Sequence, residues 1–259
     1  MRLVFLGTGT SYGVPQIGCG CRTCTSTDPR DRRTRTAALI ESGGRRLLID
    51  TPPELRLQLV AAGVGSVDAV LFTHAHADHV HGIDDLRAIS VRQRRPVDVY
   101  GAPGTLAELE RRFGYIFDGS PPLPGTSKPE LVAHKLDPDG ETEIAGQRVR
   151  AIALPHGDHT VLGYRVGPIA YLTDAKTIPA DALARLTGLS VLVLNALLPR
   201  PHPLHLSVPE AVAAAQQIGA RQTFLTHLTH DAPHAELAAR LPAGIAPAYD
   251  GLVIDVGEV

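Results

Sequence analysis

The sequence predicts an α/β protein in which strands come first, helices are interspersed, and two similar halves follow one another. Three observations predict it. Short apolar runs of strand length, several rich in Val, Ile and Leu, recur along the chain. Helix-period segments with capping residues and first-turn prolines lie between them. The chain has 259 residues, 44% hydrophobic and 20% charged, which is enough for one large α/β domain and carries no compositional sign of disorder.

The elements follow in order. Leu3–Leu6 is a first strand that breaks at Gly7 into a polar, Gly/Cys-rich loop, so it does not read as a signal peptide. Ala37–Glu41 and Arg45–Ile49 form a hairpin through Gly43-Gly44. Thr51-Pro52-Pro53-Glu54 reads as a capped helix start with proline in its first turn, and Leu55, Leu59 and Val60 recur at helical spacing up to Gly63. Ala69–Phe72 and Val97–Tyr100 are short strands, and Gly104–Arg112 is a helix. Gly119–Glu130 holds four prolines and two glycines and is a long loop. In the second half, Val149–Ala153, Leu162–Val166 and Ile169–Leu172 read as strands. Val191–Asn195 is a strongly apolar strand, Val208–Ile218 an Ala-rich helix behind Ser207, and Gln222–Leu225 another strand. Ile245–Ala248 and Leu252–Val256 close the chain around Asp250-Gly251, and no repeat of solenoid length is visible.

Twenty-five basic against 27 acidic residues leave a formal charge of −2, which argues against a nucleic-acid partner held by a basic surface. No apolar run approaches the roughly 18–20 residues of a membrane span, and a soluble, cytoplasmic protein is expected. Histidine is in excess, at 12 residues, and the three cysteines fall within one short segment. Both facts point toward metal chemistry.

His74-Ala75-His76-Ala77-Asp78-His79, directly after the strand Val70-Leu71-Phe72, is the strongest signal. His74 and His76 alternate and point the same way, while Asp78 and His79 fall where a helix begins. One segment can therefore serve two metal ions. The second signal is Cys19-Gly20-Cys21-Arg22-Thr23-Cys24, whose C-x-C-x2-C spacing can wrap one zinc; His230 is the candidate fourth ligand. Gly7-Thr8-Gly9-Thr10 lacks the Lys-Ser/Thr of a phosphate-binding loop.

The H-x-H-x-D-H run resembles the signature of the metallo-β-lactamase superfamily, and the rest of the chain can be compared with it. Leu154-Pro155-His156, Leu172-Thr173-Asp174 and Leu225-Thr226-His227 each place a ligand after an apolar strand, in that family's order, and Asp50 matches its early aspartate. The cysteine loop, Gly7-Thr8-Gly9-Thr10, Gly13-Val14-Pro15 and Asp250-Gly251 resemble the PhnP-like subgroup, which resembles a cyclic ribose-phosphate phosphodiesterase.

This resemblance implies a four-layer αββα sandwich, one domain spanning residues 1–259, with metals at one end. It implies that His74, His76 and His156 hold one divalent ion and Asp78, His79 and His227 the second. Asp174 bridges the two, Asp50 supports the ligands, and Cys19, Cys21, Cys24 and His230 hold a structural zinc remote from catalysis. Zn²⁺ suits the paired site, and Mn²⁺, Ni²⁺ or Fe²⁺ could be accommodated. The implied activity is hydrolysis of a small or cyclic phosphodiester, with Asp78 in the catalytic site and His205 binding phosphate or protonating the leaving group; His202 is its rival. Alternatives are a thioester or lactone hydrolase, a tRNA 3′-processing nuclease, a protein similar to one of pyrroloquinoline quinone biosynthesis, and a metal-stabilised binding protein without turnover. Gly119–Glu130, with one Lys and no Arg, argues against the tRNA role. Homodimerisation is suggested only by the resemblance.

Overall fold

The computed structural model describes residues 1–257. The first half contributes β1 (Arg2–Gly7), β2 (Ala37–Ser42), β3 (Arg45–Ile49), β4 (Ala69–Leu71), β5 (Val97–Gly101) and β6 (Leu131–Lys135). Between and after them come α1 (Leu55–Ala61), α2 (Ala77–Val80), α3 (Leu86–Gln93), α4 (Pro103–Arg112) and α5 (Gly114–Phe117). The second half contributes β7 (Glu141–Ile144), β8 (Gln147–His156), β9 (His159–Val166), β10 (Ile169–Leu172), β11 (Val191–Asn195), β12 (Gln222–Thr226), β13 (Ile245–Pro247) and β14 (Val253–Asp255). Its helices are α6 (Ala180–Arg185), α7 (Val208–Ile218) and α8 (His234–Arg240).

Two seven-stranded sheets result, ordered β14-β1-β2-β3-β4-β5-β6 and β13-β12-β11-β10-β9-β8-β7. Strand alternation explains why they stack. Leu3 and Phe5 of β1 face the other sheet, where Tyr164, Tyr171, Val193 and Phe224 meet them in a shared core. Val4 and Leu6, one residue over, face α1, α3 and α4 in a second core. On the second sheet Leu192, Leu194 and Leu225 turn outward against α6, α7 and α8. Helix, sheet, sheet and helix make the four layers of the αββα sandwich.

β3, β4, β5 and β6 run parallel, as do β10, β11, β12 and β13. Their carboxyl ends lie at one edge of the sandwich, where ligands bind in open α/β sheets. The helix after β3 departs from expectation. α1 starts at Leu55 with no side-chain cap, and Val60 is exposed although Leu55 and Leu59 are buried. Thr51 does not cap it: its N–H donates to His79 O (2.7 Å) and its hydroxyl to Val80 O (3.3 Å), tying the end of β3 to α2. At α7 the expected cap is present: Ser207 and Glu210 form a capping box. No helix among the described residues is long and apolar enough to cross a membrane.

Candidate metal centre

Strand ends deliver the side chains, those of parallel strands except for the antiparallel β8. β3 leads to Asp50, β4 into Thr73 and His74, β8 ends at His156, β10 leads to Asp174 and β12 to His227. His76 is still extended, and the chain then coils into α2, which swings Asp78 and His79 back over the strand ends. Asp50 (φ +62), Asp174 (φ +58) and His227 (φ +57) all take left-handed backbone conformations. Such conformations are sparse for residues other than glycine and cluster at functional sites.

Donor atoms of His74, His76 and His156 lie within 4.8 Å of one another, as do those of Asp78, His79 and His227. Asp174 lies between the two sets. Its carboxylate is 3.3 Å from His79 Nε2 and 3.3 Å from His227 Nε2, and it also groups with His74. Asp78 Oδ2 is 3.4 Å from His79 Nε2 and 3.6 Å from His227 Nε2. The seven side chains expected to bind metal therefore converge from both sheets.

Asp50 is fully buried and accepts three hydrogen bonds: from Thr73 N–H (2.8 Å), from the Thr73 hydroxyl (2.8 Å) and from His79 Nδ1–H (2.7 Å). Because the Thr73 hydroxyl donates to Asp50, its oxygen accepts from His74 Nδ1–H (3.0 Å). One carboxylate thus fixes the tautomers of two histidines, one in each set, and turns both Nε2 atoms inward. His156 Nδ1–H donates to Leu204 O (3.1 Å). On the second sheet, Thr173 donates to Asp174 (2.6 Å), and Asn195 holds both the N–H and the carbonyl of Ala175 (2.8 and 3.1 Å). Thr73, Thr173, Asn195 and the Leu204 carbonyl escaped the sequence reading.

The electrostatics favour a cation. Burial works against ionising Asp174 and Asp78, but the surrounding imidazoles, His227 and His79 above all, outweigh it and lower both pKa values. Burial also works against charging His79, yet Asp174, Asp78 and Asp50 raise its pKa well above the usual imidazole range. Buried Nε2 atoms of His74, His79 and His227 have no hydrogen-bond partner. Buried polar atoms rarely stay unpaired. Imidazole nitrogens and carboxylate oxygens aimed at common points fit divalent ions such as Zn²⁺.

His205 is buried and groups with His156 and Asp174, its Nδ1 3.4 Å from Asp174 Oδ1. Burial, and then the neighbouring imidazoles, push its pKa down to about 3 against the pull of Asp174. His202 is half-buried, 5.1 Å from His205 ring to ring, and accepts from Leu204 N–H. His81 packs edge-on against Phe113, His134 pairs with Asp98, His159 is exposed, and His234 is buried beside Arg33. Arg87 pairs with Asp84 at the surface.

At the end of the molecule where β1 leaves its sheet, Cys19, Cys21 and Cys24 surround His230, their Sγ atoms 3.3, 3.4 and 3.3 Å from its Nδ1. The Cys24 N–H lowers the Cys21 pKa to about 6 against the effect of burial, while burial raises Cys24 to about 11. Three thiols and one imidazole match a closed structural zinc site.

Residues 45–228 match a family model described as a beta-lactamase superfamily domain. An octanoyltransferase of Porphyromonas gingivalis is 42% identical over 261 residues; the alignment takes in this whole chain, which spans 52% of that relative. A ribonuclease Z of Bradyrhizobium sp. is 27% identical over 316 residues, covering 98% of this chain and 99% of the relative. A crystal structure described as a new diphosphatase from the PhnP family is 39% identical with a TM-score of 0.90, covering 98% of this chain and 97% of that one. Strand-end ligands, two stacked sheets and these matches agree: the chain belongs to the beta-lactamase superfamily, as a metallo-β-lactamase-fold hydrolase.

Proposed function

We propose that the protein hydrolyses a small or cyclic phosphodiester at a dinuclear metal site. The reading rests on one observation: two triads of donors, His74/His76/His156 and Asp78/His79/His227, share the Asp174 carboxylate between them. Two divalent ions held by these donors would supply a water of lowered pKa and positive charge for the phosphoryl oxygens that gain charge. Zn²⁺ suits these donors, Mn²⁺, Ni²⁺ and Fe²⁺ are compatible, and a further Zn²⁺ suits the thiols.

The chain's own side chains divide the remaining work. Asp50 holds His79 directly and His74 through Thr73, so neither ring rotates away from the substrate face. Asp78, carried on the first turn of α2, keeps its carboxylate ionised beside His227. His205 sits between His156 and His227 (ring centroids 4.8 and 5.0 Å) and is the residue assigned to the leaving-group oxygen. A phosphate anion beside it favours its protonated form, opposing the effect of burial.

The PhnP-family diphosphatase supports a phosphorus substrate. The octanoyltransferase name belongs to a protein of which this chain spans about half, and the ribonuclease Z name to a more distant relative. Gly119–Glu130 offers Lys128 as its one cation, and that ammonium is taken by Asp118 (2.5 Å), so a small molecule is favoured over RNA.

The test is bis(p-nitrophenyl) phosphate hydrolysis with Zn²⁺, Mn²⁺ or Ni²⁺, alongside a cyclic phosphate and a diphosphate diester. Asp78→Ala is expected to lose about 100-fold or more in rate together with metal content. Full metal occupancy with no turnover of any phosphorus ester would overturn the reading and direct the search to thioesters.

A further inference from the structure

Beyond β12 the chain spells His227-Leu228-Thr229-His230, and His227 takes a left-handed backbone conformation that is unfavourable for a residue other than glycine. Something outside the local chain must hold it. Leu228 N–H donates to Thr8 O (2.9 Å), and Thr10 N–H donates to Leu228 O (3.2 Å). Two residues later, His230 Nδ1 is ringed by the thiols of Cys19, Cys21 and Cys24. Both holds come from the one stretch of chain that leaves β1. The Leu228 side chain packs into the outer core of the second sheet, and Thr229 and Asp231 border a cavity of about 370 Å³ that Val212 and Leu237 line from α7 and α8. The backbone hydrogen bonds of Leu228 and the thiols around the His230 ring all come from the Thr8–Cys24 side.

We propose that Cys19, Cys21, Cys24 and His230 are positioning residues for His227. Closed around a zinc ion, they fix the His227–His230 turn and with it the imidazole that completes the Asp78/His79/His227 position. This differs from a zinc remote from the active centre, because the two centres share one four-residue turn. The coupling is selective. His74, His76 and His156 are carried by the segment after β4 and by β8, so the position they form does not depend on the thiols. The inference rests on reading Asp78, His79 and His227 as metal ligands.

The experiment is a chelator-competition titration of the full chain with Zn²⁺, and with Co²⁺ for its spectrum. Wild type, His230→Ala and His230→Cys are compared. His230→Ala is expected to lose the thiolate-bound ion and to bind one of the two others about tenfold or more weakly, the remaining one unchanged. His230→Cys restores a fourth donor and is expected to recover wild-type affinities. Loss of one ion with both others bound as tightly as before would overturn the proposal.

Should His230→Ala not fold, wild-type protein answers the same question. A mercurial strips the thiolate-bound zinc, and hydrogen exchange is followed at the Leu228 amide. Faster exchange supports the proposal, and unchanged protection after the zinc has left overturns it. A wild-type protein that binds one ion, through its thiolates alone, would instead defeat the reading of the histidine–aspartate cluster itself.

Discussion

Asp50 belongs to neither donor triad, yet it orients a member of each through His79 and Thr73. In Asp50→Asn an amide N–H replaces a carboxylate oxygen and faces a group that is itself a donor. Metal affinity is expected to fall about 10–100-fold at unchanged fold, read by chelator competition. A second residue carries a pH signature. Burial, then the Arg33 and Arg30 charges, lower the His234 pKa to about 4, with Asp28 and Asp31 opposing and the Tyr249 ring packed edge-on. Its folded pKa lies below the unfolded value of 6.5, so between those values the unfolded chain binds more protons. Stability is therefore lost as pH falls from 6.5 toward 4, and His234→Gln is expected to lessen the drop in urea midpoint between pH 7 and pH 5. At this scale the histidines and aspartates were legible, because few residue types bind metals and their crowding at strand ends has no apolar explanation. Thr73 and Asn195 were not: both are ordinary strand-end residues, and a carbonyl such as that of Leu204 leaves no mark in a sequence.

The elements that carry the site are short and closely fitted. Gly82 follows α2, and its N–H donates to Thr51 O (2.8 Å). A Cβ there would stand 2.1 Å from Pro52 O and 2.9 Å from Leu55 Cβ. Gly82→Ala is expected to destabilise by about 1–3 kcal/mol, because the β3–α1 turn must move away from α2, and a urea titration measures it. Elements with a clean period and a cap, such as β10, β11 and α7, match the sequence reading at both ends. β7 escaped it because its side chains are mostly exposed and polar, and β6 because its short apolar run, Leu131-Val132-Ala133, is largely exposed and shows no buried alternation. β8 was read too short. Pro155, which lacks an N–H, sits beyond the Gln147–Arg150 stretch that β7 pairs, so no hydrogen bond is lost on that side.

Across the whole molecule, the metal position reads as a joint between halves. His74, His76, Asp78 and His79 follow β4 of the first sheet, whereas His156, Asp174 and His227 stand at the ends of β8, β10 and β12 of the second. Buried imidazoles without partners weaken that joint unless ions satisfy them. EDTA is therefore expected to lower the thermal midpoint, and Zn²⁺ to restore it in proportion to the free ion; a midpoint indifferent to chelation would contradict this. The α/β class and its two similar halves were legible from apolar runs and helix signals, while the stacking of the two sheets was implied by the family resemblance. The pairing of β14 with β1 was not, because that contact joins opposite ends of the chain and leaves no local pattern.

That returning strand makes the chain topologically interlaced. A protease cut in the exposed, proline-rich stretch between α5 and β6 would divide the first sheet between two pieces: the later piece owns the whole second sheet and also keeps β6 and β14, which lie at the two margins of the earlier piece's sheet. Such pieces hold each other as a clasp holds its hook, so a nicked molecule is expected to migrate as one body until denatured. The same interlacing makes the stretch between α5 and β6 the natural place to divide the gene for a split-reporter design.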